Sequence, residues 1–159
     1  MKKFLVLLSL FALPLLSRAQ GSGFGLGIMI GEPTGISWKY WTGGDRALAG
    51  GVAWGLSNYS YFHVHADHLF HKMDLIPVSK GKLPLYFGPG VRMRFWSDNG
   101  NDRYDDDRDL DLSIRFPVGL AYFFDGAPVD VFLEAVPTMS LIPSTDFDFD
   151  GAIGARYWF

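Results

Sequence analysis

The stretch Ala152-Ile153-Gly154-Ala155-Arg156-Tyr157-Trp158-Phe159 sets Ile153, Tyr157 and Phe159 on one parity against Gly154, Arg156 and Trp158 on the other. Successive side chains of a strand point to opposite faces, so this alternation predicts a β-strand with one bulky apolar face and one face that mixes small and charged groups. Working back from it, the same period of two recurs between clusters of Gly, Pro, Asn and Asp. It predicts strands over about 24–30, 36–41, 47–54, 61–70, 83–96, 110–124, 129–141 and 147–159. The second is short. Turns are expected at Glu32-Pro33-Thr34-Gly35 and at Thr42-Gly43-Gly44-Asp45.

The other end of the chain reads differently. Lys2 and Lys3 precede an apolar run over 4–16, and Ser17-Arg18-Ala19 puts small residues where a signal peptidase reads them. The expectation is a cleaved signal peptide at 1–19 and a single domain at 20–159. The run is shorter than the roughly 20 residues of a spanning helix. The chain has no Cys, which excludes a disulfide scaffold and a lipid-modified N-terminus. Of the 14 basic residues, Lys2, Lys3 and Arg18 precede residue 20, and none of the 17 acids do, so 11 bases face 17 acids and the mature charge is −6. That balance argues against nucleic acid as a partner.

Eight alternating strands without a helical span predict an all-β, closed antiparallel up-and-down barrel. Two inside-out arrangements compete. A soluble barrel puts its bulky apolar face inward, and a membrane barrel puts it outward. The second face decides for the membrane barrel. It carries Gly25, Gly27, Ala47, Ala49, Gly51, Ala53, Gly88, Gly90, Gly119, Ala121 and Gly154 beside a few long charged residues. A narrow lumen needs that mixture, whereas a solvated surface normally carries many charges. With the N-terminus in the periplasm, Tyr40, Trp41, Phe70, Tyr122, Phe123, Phe124, Tyr157 and Phe159 fall at one membrane interface. Trp54, Tyr59, Tyr61, Phe95, Trp96, Phe147 and Phe149 fall at the other, giving two aromatic girdles. The connection at 71–82 is long for a periplasmic turn. It predicts either a small cap or a slip in the strand count.

A terminal aromatic with another two residues before it, here Tyr157 and Phe159, resembles the signal through which the barrel-assembly machinery recognises outer-membrane barrels. Ala152 stands where that signal prefers a polar residue. The architecture resembles that of the small OmpA/OmpX-type barrels. Gly31-Glu32-Pro33-Thr34-Gly35-Ile36-Ser37, His63-Val64-His65-Ala66-Asp67, Leu83-Pro84-Leu85-Tyr86 and Gly151-Ala152-Ile153-Gly154-Ala155-Arg156-Tyr157 resemble segments of a family of short, uncharacterised outer-membrane barrel proteins. The resemblance implies the barrel fold and outer-membrane residence, and no activity. The expected partners are outer-membrane lipid and lipopolysaccharide, and the assembly machinery through the C-terminal strand; no cofactor is expected.

Three constellations carry candidate chemistry. His63, His65 and Asp67 share a strand face, and their side-chain types allow a lumen hydrogen-bond layer, a divalent metal site or acid–base groups. His68 falls on the lipid-side parity and His71 near the rim, so both are expected at the interface. Lys39, Arg92, Arg94, Arg115 and Arg156 share the inner face with Asp67, Asp111, Asp130, Glu134, Asp148 and Asp150. Opposite charges in a narrow barrel should pair, because an unpaired buried charge is costly. The expected network centres on Glu134 with Arg92, Arg115 or Arg156. The acidic loop 98–109 lacks the Gly and Glu spacing of an EF-hand and reads as a solvated loop, with calcium or cation-bridged lipopolysaccharide as the alternative. Ser57, Ser60, Ser97 and Ser144 near the outer rim carry no nucleophile motif. The reading is a small outer-membrane barrel with a filled polar lumen and a structural or surface-interaction role, without catalytic or metal residues. A lipid-modifying enzyme and a narrow channel are the alternatives.

Overall fold

The computed structural model describes residues 22–54, 61–96 and 110–159. The expected signal peptide, Ser57, Tyr59, Ser60, Ser97 and the acidic loop lie outside the described residues, as do the side chains of Tyr61 and Trp96. Within the described residues run β1 (Phe24–Glu32), β2 (Thr34–Gly43), β3 (Arg46–Trp54), β4 (Tyr61–Lys72), β5 (Leu85–Phe87), β6 (Gly90–Trp96), β7 (Leu110–Arg115), β8 (Val118–Phe123), β9 (Val129–Ile142) and β10 (Asp146–Trp158). β5 and β6 pair in line along β4, and β7 and β8 pair in line along β9. The ten segments therefore make eight staves. β10 pairs with both β9 and β1, which closes the antiparallel barrel.

Proline causes the two breaks. Pro89 separates β5 from β6, and Pro117 separates β7 from β8. Proline has no N–H to give to a ladder. Its carbonyl still accepts: His68 N–H donates to Pro89 O at 2.9 Å, and Gly88 N–H donates to Pro117 O at 3.2 Å. The staves keep their parity across the breaks.

The polarity of the barrel is that of a water-soluble protein turned inside out. Ile28 and Leu133 are each 60% exposed, and Phe147 is 70% exposed. Lys39, Arg92 and Asp130 are fully buried. Small inner residues face large ones across the ladder. Gly25 pairs with Trp158, Gly51 with His65, Asp67 with Gly90, Tyr86 with Gly119, and Phe132 with Gly154. A methyl group added at Gly119 would sit 2.5 Å from the Tyr86 ring, and one at Gly154 would sit 2.4 Å from Phe132. Glycine there is a matter of space: the large side chain needs the volume opposite it.

Three expectations are corrected. β2 is ten residues long rather than short, because Gly35 already pairs with both Met29 and Ala53. Trp41 and Phe123 lie inside the barrel rather than in an interfacial girdle. They pack at a tilt against Trp158 with ring centroids 6.1 and 5.7 Å away, forming an apolar floor near the end that carries Phe24 and Trp158. His71 is likewise buried, 4.4 Å from Trp41. β4 runs on to Lys72, so His71 keeps the inward parity of His63 and His65. The long connection takes the cap alternative. Met73 packs against the buried core cluster, Lys82 bridges to Phe123, and Tyr122 Oη donates to Lys80 O at 3.1 Å.

Candidate functional site: the barrel interior

The alternation that turns hydrocarbon outward sends every long polar side chain of the inner parity toward one axis. They meet there in three layers. The layer above the aromatic floor holds Lys39, whose Nζ is 3.2 Å from His71 Nε2 and 4.3 Å from the centre of the Tyr86 ring. His71 Nδ1 faces the Asp45 carbonyl at 3.2 Å. A carbonyl only accepts, so Nδ1 carries the proton and Nε2 offers its lone pair to the lysine. In the same part of the barrel Arg156 grips Asp130 through two bonds, Nε to Oδ1 and Nη2 to Oδ2, both 3.1 Å. Its guanidinium lies 4.0 Å over Phe132, and Nη1 donates to Ser37 Oγ at 3.4 Å. Fork-to-fork geometry of this kind is the strong form of the ion pair.

The middle layer is built on Arg115. Its Nη2 donates to Glu134 Oε1 at 3.4 Å, and its Nε lies 3.1 Å from Asp67 Oδ1. Tyr86 Oη donates to the other oxygen of Glu134 at 2.9 Å. Asp67 Oδ2 lies 3.9 Å from His65 Nε2, and His65 Nδ1 lies 3.2 Å from His63 Nε2. His65 thus presents one nitrogen to Asp67 and the other to His63. The three groups are strung in line and do not converge on a common point, so they do not form a metal cage. Among the described residues no group of three or more His, Asp or Glu is placed to hold a metal ion.

The upper layer is the most highly charged. Arg92 Nη1 donates to Asp150 Oδ2 at 2.7 Å and to Asp148 Oδ2 at 3.3 Å. Its Nη2 donates to Ser113 Oγ at 3.2 Å. Arg94 Nη2 reaches Asp150 Oδ1 at 3.2 Å and Asp148 Oδ2 at 3.1 Å. Ser140 donates to Asp111 Oδ2 at 2.9 Å, and Ser113 donates to the other Asp111 oxygen. Above this layer a polar vestibule of about 250 Å³ is lined by Arg94, Asp111, Ser144, Asp146 and Asp148 among others.

The expected residues are therefore all in the lumen, but grouped differently. Glu134 holds Arg115, whereas Arg92 belongs to Asp148 and Asp150 and Arg156 belongs to Asp130. The period of two also turns Ser37, Tyr86 and Phe132 inward, where Ser37 accepts from Arg156, Tyr86 donates to Glu134 and Phe132 lies under the Arg156 guanidinium. Their roles come from register. Tyr157 and Phe159 lie outside, in an edge-to-face contact with ring centroids 5.0 Å apart.

An eight-stranded, closed antiparallel barrel with a filled polar axis defines the class of fold. Among solved structures the chain is similar to the N-terminal β-barrel domain of Pseudomonas aeruginosa OprF, with a TM-score of 0.65 and 16% identity over 88% of this chain and 100% of that one. It is also similar to Neisserial surface protein A, with a TM-score of 0.50 and 12% identity over 86% of this chain and 93% of that one. At such identities the likeness is one of fold. No protein-family model and no curated protein matches the chain.

Proposed function

We propose that the protein is an integral outer-membrane barrel, exported by the signal at 1–19, whose role is structural or one of surface interaction rather than transport or catalysis. One observation carries this reading: the apolar side chains point away from the barrel while the ionic ones fill its axis. A surface of exposed Ile, Leu, Val and Phe around a closed sheet suits hydrocarbon, where every backbone group must be satisfied internally. The barrels of OprF and Neisserial surface protein A support the assignment by their fold. The aromatic floor of Trp41, Phe123 and Trp158 and the three polar layers support a filled lumen rather than a pore. On this reading the ends of β1 and β10 that carry Phe24 and Trp158 face the periplasm, and the vestibule faces outward. Planar-bilayer recording tests it. Reconstituted protein is expected to give no steady single-channel conductance, and reproducible unitary steps from the folded monomer would favour the channel instead.

A further inference from the structure

The connection between β4 and β5 leaves apolar surface that the barrel does not use. Leu75 is 60% exposed and Val78 is 38% exposed, although both lie beyond the strands whose outer faces would meet hydrocarbon. Three exposed lysines, Lys72, Lys80 and Lys82, flank them along the chain, against one exposed acid in the same segment, Asp74. The segment is anchored at three points. Met73 packs against the buried core, Lys80 O accepts from Tyr122 on the lipid-side parity of β8, and Lys82 bridges to Phe123. Tyr122 in turn makes an edge-to-face contact with Phe124 at 4.9 Å, at the rim of the wall. At Lys80 the connection therefore adjoins the outer wall of the barrel, which on the orientation proposed above is the level where hydrocarbon gives way to headgroups. Apolar groups among lysines at that depth match an anionic lipid surface in both hydrophobicity and charge.

We infer that residues 72–82 form a phospholipid-binding ledge, with Leu75 and Val78 seated at the acyl–headgroup boundary and Lys72, Lys80 and Lys82 contacting anionic headgroups of the periplasmic leaflet. The inference rests on the membrane orientation proposed above. The ledge holds the barrel at a fixed depth on one side.

The chain has no cysteine, so single labels are clean. Leu75→Cys carries an environment-sensitive fluorophore at the ledge, and Leu133→Cys carries the same fluorophore on the wall. The full mature barrel is reconstituted in phosphatidylcholine vesicles that contain equal mole fractions of either spin-labelled phosphatidylglycerol or spin-labelled phosphatidylcholine. The Leu75→Cys probe is expected to be quenched by both lipids and at least twofold more by phosphatidylglycerol. Combined replacement Lys72→Gln, Lys80→Gln and Lys82→Gln is expected to remove that excess. Quenching at Leu133→Cys without quenching at Leu75→Cys overturns the ledge and leaves the membrane reading standing, and it directs the search to a protein partner in the periplasm. Equal quenching by the two lipids overturns the charge preference. Absence of quenching at both sites overturns the membrane reading and the ledge with it.

Discussion

At the scale of the residue, the interior is a set of charges with unequal dependence on one another. Arg156 has Asp130 as its carboxylate partner, through two bonds in a site where both side chains are almost fully buried. Arg115 is held by two carboxylates, Glu134 and Asp67. Removing one partner of a buried pair strands the other, at a cost of about 3–5 kcal/mol. Asp130→Ala is therefore expected to lower folding stability by about that amount. Glu134→Ala is expected to cost less, because Arg115 keeps Asp67, though Tyr86 Oη loses its acceptor. Equilibrium urea unfolding in lipid vesicles measures both. An Asp130→Ala loss no larger than that of Glu134→Ala would show that the pairing is misread. The presence of these charges on one face was legible from parity alone, but their partners were not. Pairing depends on cross-strand register and on how far each guanidinium reaches, and neither is written in a single strand. Arg156 lies directly across from Asp130, whereas Arg92 lies across from Ser113 and reaches past it to Asp150.

At the scale of the element, a strand's alternation was the readable signal, and it held from end to end. Trp41, Phe123 and His71 depart from the expected interface because parity, and not the general preference of aromatics for membrane interfaces, sets their direction at the strand ends. Trp41 shares its parity with Ser37 and Lys39, and His71 shares its parity with His63, His65 and Asp67, so the inward direction was available. The proline breaks were harder to see, since proline interrupts hydrogen bonding without shifting the phase of the side chains. The pairing of large with small residues across the ladder is the device that fills the lumen without strain. Gly154→Val tests it. The new side chain would meet the Phe132 ring and the Ile28 carbonyl, so a loss of about 1–3 kcal/mol from overpacking is expected in the same unfolding assay. The same change at Gly126, which lies in the turn between β8 and β9 and whose added methyl meets nothing within 4 Å, would act through its positive φ of 80° and not through packing.

At the scale of the whole molecule, closure and inverted polarity explain each other. An open sheet would expose a row of unpaired N–H and C=O groups, which lipid cannot satisfy, and β1 with β10 removes that edge through eight paired positions from Gly25 to Glu32. Once closed, eight staves leave an axis just wide enough for side chains. The aromatic floor and the ionic layers occupy it, so the wall and not the lumen is the surface this barrel offers to its surroundings. The central claim is that this wall meets hydrocarbon. Ile153, 57% exposed near the middle of β10, probes it most directly. In lipid vesicles Ile153→Arg is expected to reduce folding stability by about 2–4 kcal/mol, as for arginine at the midplane of a membrane barrel. A change within about 0.5 kcal/mol, the usual effect of a substitution on a water-exposed surface, would contradict the account.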